Sequence, residues 1–294
     1  RMKILLLGAN GQLGYELGGC LATFAAITPR ERDDGDWASA DAMRRIVEAS
    51  RPNVIVNACA YTDVDGAERE PEVAHHVNAT MVGVLGEEAK RVGAGLVHFS
   101  TDFVFDGEKG TAYVETDPPR PLGEYARSKL AGEHALTELE APALVLRTAW
   151  VYSTRRKSFV TTMLRLARQR EKLDVVSDQI GSPTFCRDLA QATALLLYGV
   201  RKDPARATRD ARGIYHLAGA GSVSRCDFAR AILALDPHKS EHTVKAVNAI
   251  RSVDFPLPAQ RPLVTPLDST KARRTWGIEL PPWHDALARA LTSG

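Results

Sequence analysis

No CxxC pair occurs among the four cysteines of this 294-residue chain (Cys20, Cys59, Cys186 and Cys226). That removes the thiolate spacing of zinc ribbons and thioredoxin-like redox sites. Scattered single cysteines in a chain this long read as reduced core residues of a cytoplasmic protein, not as a disulfide framework. No apolar run approaches the ~18 residues of a membrane span, and Met2-Lys3-Ile4-Leu5-Leu6-Leu7 reads as a core strand rather than a secretion signal. No membrane partner is therefore expected. An excess of one charge is also missing, since 38 basic and 36 acidic side chains leave +2. Aromatics make up only 6% and are not interleaved with the dispersed basic residues, as a single-strand stacking platform requires. With no helix-turn-helix, zinc-finger or RNP motif either, nucleic acid is not expected as a partner. What the chain does have is 44% hydrophobic and 25% charged residues, which excludes whole-chain disorder and lets one large or two ordinary domains bury a full core.

The near-neutral total conceals a division. Residues 1–150 hold 15 basic and 23 acidic side chains, whereas residues 151–294 hold 23 and 13. The second half either meets something anionic or presents a solvated basic surface. In the first half, apolar runs at Lys3–Leu7, Phe24–Ile27, Val54–Ala58, Leu96–Ser100 and Leu144–Thr148 alternate with helix-like segments at Gln12–Ala22, Ala40–Ala49, Asn78–Arg91 and Tyr125–Leu139. Runs apolar on both faces are buried parallel strands, and βα alternation predicts a doubly wound sheet. Beyond residue 150 the texture changes. Ser158–Gln169, Arg187–Tyr198 and Arg225–Leu235 read as helices and Gly213–Leu217 as one more strand, while four prolines in Asp254–Pro266 exclude regular structure there. The expected fold class is α/β, a Rossmann-type doubly wound parallel sheet at 1–150 with returns from later segments. A smaller mixed α/β lobe, mainly 151–294 and interleaved with the sheet, would bind substrate.

The first strand runs into Gly8-Ala9-Asn10-Gly11-Gln12-Leu13-Gly14 and then a helix. That junction aims backbone N–H groups and the positive helix end at a diphosphate. At the end of the second strand, where a carboxylate often takes the ribose 2′-OH, stands Thr28-Pro29-Arg30 with Arg32 beyond. A guanidinium there suits the 2′-phosphate of NADPH, with NADH as the alternative donor. Further on, Tyr125-Ala126-Arg127-Ser128-Lys129 sets a phenol and an ammonium one helical turn apart, and Ser100-Thr101-Asp102 ends a buried strand. A nearby cation lowers a phenol's pKa toward working pH, and the Thr101 hydroxyl can hold the reacting oxygen.

The order GxxGxxG, strand-end Thr, YxxxK resembles the extended short-chain dehydrogenase/reductases. Finer stretches resemble those that reduce dTDP-4-keto-6-deoxyhexoses: Asn57-Ala58-Cys59-Ala60-Tyr61-Thr62 with Val64-Asp65, Ser100–Phe105, Arg147–Tyr152, Met163–Ala167, Asp178–Thr184 and Arg261-Pro262. The resemblance implies hydride transfer from NAD(P)H to the C4 ketone of dTDP-4-dehydro-L-rhamnose. Tyr125 would protonate the alkoxide, Lys129 would tune Tyr125 and bind the nicotinamide ribose, and Thr101 would orient the substrate oxygen. On the cofactor side it implies Gly8, Asn10, Gly11, Gln12, Leu13, Arg30, Asp36 and Trp37 by the adenine, Ala58, Cys59, Ala60, Tyr61, Asn78 and Ser100. On the substrate side it implies Asp102, Phe103, Trp150 at the sugar and Arg261 facing the nucleotide diphosphate, with the Ser158–Gln169 helix over the nucleotide.

Three departures stand out. Ala126 replaces the usual glycine, Phe103 replaces a tyrosine, and Val264-Thr265 alter a polar pair in the substrate lobe. Some relatives form a dimer around magnesium held by glutamates. Glu16 matches one such position, but Arg187 and Asp188 stand where another Glu is expected, so no metal is expected and a homodimer stays open. The histidine pair His75-His76 reads as surface or supporting, and His98 as a satisfied core residue. The competing readings are another nucleotide-sugar 4-ketoreductase, an epimerase, and a non-catalytic NADP-binding regulatory subunit. Dehydration is disfavoured because Thr101-Asp102-Phe103 lacks a second acid.

Overall fold

The computed structural model describes residues 1–31, 34–35, 37 and 39–292. The expectations for Arg32 and Asp36 therefore lie outside the described residues. The chain opens with β1 (Met2–Leu7), α1 (Gln12–Ala22), β2 (Ala25–Arg30), α2 (Ala40–Ser50) and β3 (Val54–Asn57). Next come α3 (Val64–Arg69), α4 (Pro71–His75), a π-helical turn (His76–Thr80), α5 (Met81–Val92), β4 (Gly95–Thr101), α6 (Glu124–Glu138) and β5 (Ala143–Thr148). Beyond the fifth strand lie β6 (Val151–Tyr152), α7 (Phe159–Ala167), β7 (Lys172–Val176), β8 (Ile180–Gly181) and β9 (Thr184–Phe185). Two helices, α8 (Cys186–Gly199) and α9 (Pro204–Asp210), lead to β10 (Gly213–His216). The chain closes with β11 (Val223–Ser224), α10 (Arg225–Leu235), β12 (Ala246–Ile250), α11 (Thr270–Trp276) and α12 (Trp283–Thr292).

Six strands form one sheet in the order β10-β5-β4-β3-β1-β2, with every pairing parallel. The chain leaves β1 for β2 on one side and returns to β3 on the other. The crevice at the carboxyl ends of β1 and β3 is thus a topological switch point, where open α/β sheets bind ligands. Alternate strand residues feed two cores. Ile4, Leu6, Val54, Val56, Val97 and Leu146 pack under α1 and α8, and Leu5, Leu7, Ile55, Leu96 and Val145 pack under α2 and α5. A third core joins Tyr152, Val160, Phe185, Phe228, Ile232 and Leu287 in the second half.

Two boundaries differ from expectation for identifiable reasons. β2 runs on through Pro29 to Arg30, which it can do because it is the outermost strand and needs no donor there. Phe24 stays outside it, edge-on to Tyr198 at 5.4 Å. The helix expected from Asn78 becomes regular only at Met81. The preceding residues form a π-turn that carries Asn78, whose side-chain amide donates to the Tyr61 carbonyl at 3.0 Å and the Ser128 hydroxyl at 2.9 Å. Asp254–Pro266 is irregular apart from a short 3-10 turn ending at Asp254 and an isolated bridge from Val264 to Ile180. No described helix is long and apolar enough to cross a membrane, and all four cysteines are free thiols.

Candidate active site

The glycine turn is built to leave backbone exposed. Gly8 takes φ +78°, and its N–H and that of Ala9 donate to the Arg30 carbonyl at 2.8 and 3.1 Å. A Cβ on Gly8 would fall 2.8 Å from the Cys59 nitrogen, and one on Gly14 would collide with the Gly8 carbonyl oxygen. The cap of α1 is Gly11, with no side chain over the helix end, and the Gln12 Oε1 is buried without a partner. An open positive helix end, a cradle that side chains would fill and an orphaned amide oxygen fit a dinucleotide's diphosphate. Around it, Asn10 donates to Glu31 at 2.7 Å, Leu13 packs between the first and third cores, and Arg30 lies 3.7 Å from Asp34. Trp37 is only 5% exposed, within the α2-side core, and its carbonyl meets His76 Nε2 at 2.9 Å. On the other side of the switch point, Ala58 N–H donates to Leu7, and the Cys59 N–H donates to Asn57 Oδ1 at 3.1 Å. Ala60 follows in the same loop, and the Tyr61 N–H donates to Asn78 Oδ1 at 2.9 Å. Asn78 therefore ties this loop to Ser128 on α6.

Beside the cradle, β4 ends in Thr101 and α6 starts at Glu124, its first N–H donating to Glu68 Oε1 at 2.8 Å. The Thr101 hydroxyl lies near enough to the Tyr125 phenol to act on its pKa, and Phe103 stands edge-on to the phenol at 6.0 Å. Lys129 is buried, donating to the Phe99 carbonyl at 2.6 Å with His98 Nε2 at 3.5 Å. His98 is the satisfied core residue expected, its Nδ1 3.0 Å from Asn57 Nδ2.

The electrostatics correct one expectation. Tyr125 is not made more acidic. Burial pushes its pKa up to about 12, the Thr101 hydroxyl partly offsets this, and Asp102 adds to it. The reason is where the ammonium goes: Lys129 points at Phe99 and His98, and burial itself lowers Lys129 to about 8. Asp102 is buried too, which raises its pKa to about 6, although Thr265 Oγ1 donates to it at 2.6 Å.

Several residues are placed otherwise than the sequence implied. Ser100, expected on the cofactor side, gives its hydroxyl to Glu133 at 2.5 Å, behind the site. The Arg261 fork is already closed on Asp65, with bonds of 3.1 and 2.9 Å, and also donates to the Ala259 carbonyl. Trp150 adopts φ +45°, a strained backbone for a bulky residue. Its indole packs against Gly181 and carries the Arg225 guanidinium at 3.6 Å. Sequence reasoning missed both Arg225 and Thr265 as site residues. Thr265 was visible only as a departure, and Arg225 only within the basic excess of the second half. Glu16 is paired with Arg187 at 3.1 Å and Asp188 with Arg289 at 2.7 Å. Among the described residues no cluster of metal-binding side chains forms.

Comparison with known proteins gives a consistent picture. Residues 2–294 match the family described as RmlD substrate binding domain. The chain is 43% identical to a dTDP-4-dehydrorhamnose reductase of Burkholderia thailandensis over 97% of both chains. It is 38% identical to that of Escherichia coli K12, over 99% of this chain and 97% of the relative. Among solved structures, the dTDP-4-dehydrorhamnose reductase of Bacillus anthracis in complex with NADP superposes with a TM-score of 0.89 at 31% identity, covering all of both chains. A Thermus thermophilus UDP-glucose 4-epimerase, at 20% identity and TM-score 0.79 over 99% of this chain and 98% of that one, shares the fold alone.

Proposed function

The chain belongs to the RmlD substrate binding domain family, and from that premise we propose that it reduces the C4 ketone of dTDP-4-dehydro-L-rhamnose with NADPH, Tyr125 giving the proton. One observation carries this reading: the Tyr125–Thr101 hydroxyl pair lies at the end of β4, beside an uncapped glycine cradle at the sheet's switch point.

The Gly8–Gly14 turn with Asn10, Gln12 and Leu13 would hold the cofactor's diphosphate, Arg30 its adenosine end, and the Ala58–Tyr61 loop with Lys129 its nicotinamide side. When bound, NADPH supplies the hydride. Carbonyl reduction builds negative charge on the C4 oxygen, so hydrogen-bond donors must meet that atom. Thr101 and Tyr125 are the adjacent donors. An alkoxide is a far stronger base than a phenolate, so proton transfer from Tyr125 is downhill even with the phenol near 12. Lys129, lowered by burial to about 8, can then help return a proton to the phenolate left behind. Phe103 and Trp150 supply apolar surface for the 6-deoxy sugar. A cytoplasmic location is part of the same proposal, supported by the free thiols.

The test is NADPH oxidation with dTDP-4-dehydro-L-rhamnose beside its D-configured relatives, the product identified by NMR. Formation of dTDP-L-rhamnose is expected. Cofactor binding with no NADPH oxidation on any 4-keto sugar would leave a regulatory subunit instead.

A further inference from the structure

We infer that Arg225 is a second, unanticipated contact for the substrate's diphosphate, and so a determinant of specificity for nucleoside-diphosphate sugars. The inference deepens the nucleotide-sugar reading and rests on it.

Arg225 is the first residue of α10, following the Ser224 cap. Its guanidinium lies flat over Trp150 at 3.6 Å, with the Phe159 ring at 5.0 Å. Phe159 is itself fixed by stacking on Phe228 at 5.7 Å. Among the described residues, nothing forms a hydrogen bond or ion pair with that guanidinium. Nearby groups are already engaged. Asp102 accepts from Thr265 and Thr101, and Arg261 is paired with Asp65. Asp102 acts on Arg225 through space as a favourable charge and Arg261 as an opposing one, but among the described residues no carboxylate pairs with the guanidinium directly.

Three effects make that placement unfavourable for the protein alone. Partial burial penalises a charge with no direct partner, the positive end of α10 repels a cation, and Arg261 adds like-charge repulsion. Burial, the largest of the causes acting on it, lowers Arg225 to about 10. A cation–π stack returns less than such desolvation removes. An incoming anion relieves all three at once. The stacked plane leaves the in-plane N–H edge for a ligand, and that fork matches phosphate oxygens two at a time. The site borders Trp150 and lies across from Asp102 at the end of β4, so the anion it meets is the substrate's diphosphate rather than the cofactor's, which belongs at the Gly8–Gly14 cradle.

The test uses the full chain with Arg225→Gln and Arg225→Lys, titrated calorimetrically with dTDP, thymidine and NADPH. In Arg225→Gln the dTDP dissociation constant is expected to rise at least ~10-fold, with partial recovery in Arg225→Lys. Thymidine and NADPH should bind as before, and KM should rise while kcat is nearly kept. Unchanged dTDP binding would overturn the inference and leave the reductase reading intact. Equal losses for thymidine and dTDP would also overturn it, since Arg225 would then only prop Trp150. A loss confined to NADPH would move the contact to the cofactor and overturn it too. No dTDP binding by the unaltered protein would overturn the nucleotide-sugar reading together with the inference.

Discussion

The Tyr125 phenol keeps its proton through the neutral range because burial outweighs the effect of the Thr101 hydroxyl, with Asp102 reinforcing burial. It is therefore loaded to donate and poor at accepting. Tyr125→Phe deletes the proton while keeping the ring that Phe103 meets edge-on. Turnover should fall by about 10²-fold or more in an NADPH-oxidation assay, with NADPH affinity unchanged. Near-normal turnover would remove Tyr125 from the chemistry. Asp102 gives a stability prediction of definite sign. Its folded pKa of about 6 lies above the ordinary carboxyl value of 3.8, so the folded state holds a proton that the unfolded chain releases. That contribution is present below about pH 4 and lost as pH rises through about 6, about 3 kcal/mol for a shift of this size. Asp102→Asn keeps an acceptor for Thr265 and cannot ionise. Its melting temperature should match the unaltered protein near pH 4 and exceed it near pH 7; a variant less stable at both would refute the assignment. The types and order of Thr101, Tyr125 and Lys129 were legible in the sequence. The direction in which Lys129 points was not, because it depends on the Phe99 carbonyl and His98 of a different element.

At the scale of elements, α6 is set against the sheet by a buried ion pair. Arg147 of β5 meets Glu133 through bonds of 2.9, 3.2 and 2.6 Å, and Ser100 of β4 donates to the same carboxylate. Both partners are at most 2% exposed, so removing one leaves the other charged and dry. Glu133→Gln should lower unfolding free energy by about 3–5 kcal/mol, measured by urea denaturation. Replacing both, with Arg147→Met, should recover part of that loss. The opposite flank of α6 is equally close, since a Cβ on Gly132 would collide with the Asn78 carbonyl in the π-turn. Gly132→Ala should therefore push α6 away from the Ala58–Tyr61 loop and weaken NADPH binding in a calorimetric titration. Unchanged affinity would show that the π-turn does not position the site. The strands and long helices of this region were readable because period and burial coincide in them. The π-turn was not readable, since His76–Thr80 holds no Gly or Pro to mark a break and its Asn78 contacts lie 17 and 50 residues away.

For the whole molecule, the change of texture near residue 150 marks where a second core begins, not where the first one ends. The sheet face under α1 is closed by Leu189, Leu196 and Leu197 of α8, and by Ala272 and Trp276 of α11. Its far edge is paired by β10 through Gly213–His216 on β5. Both come from the second half of the chain. Local sequence cannot announce this, because each of these segments is an ordinary amphipathic helix or short strand until its partner is known. A fragment of residues 1–150 would carry all of the Gly8–Gly14 cradle and the Thr101–Tyr125–Lys129 set, yet leave α8's side of the core in water and β5 as an open edge, a template for aggregation. Such a fragment should therefore aggregate or lack near-ultraviolet circular dichroism, while the full chain unfolds in one cooperative transition. If instead the fragment melted cooperatively and bound NADPH, the returning segments would be ornaments on an autonomous domain. The dependence of the cofactor cradle on the substrate half, which places α8 directly behind α1, would then be lost.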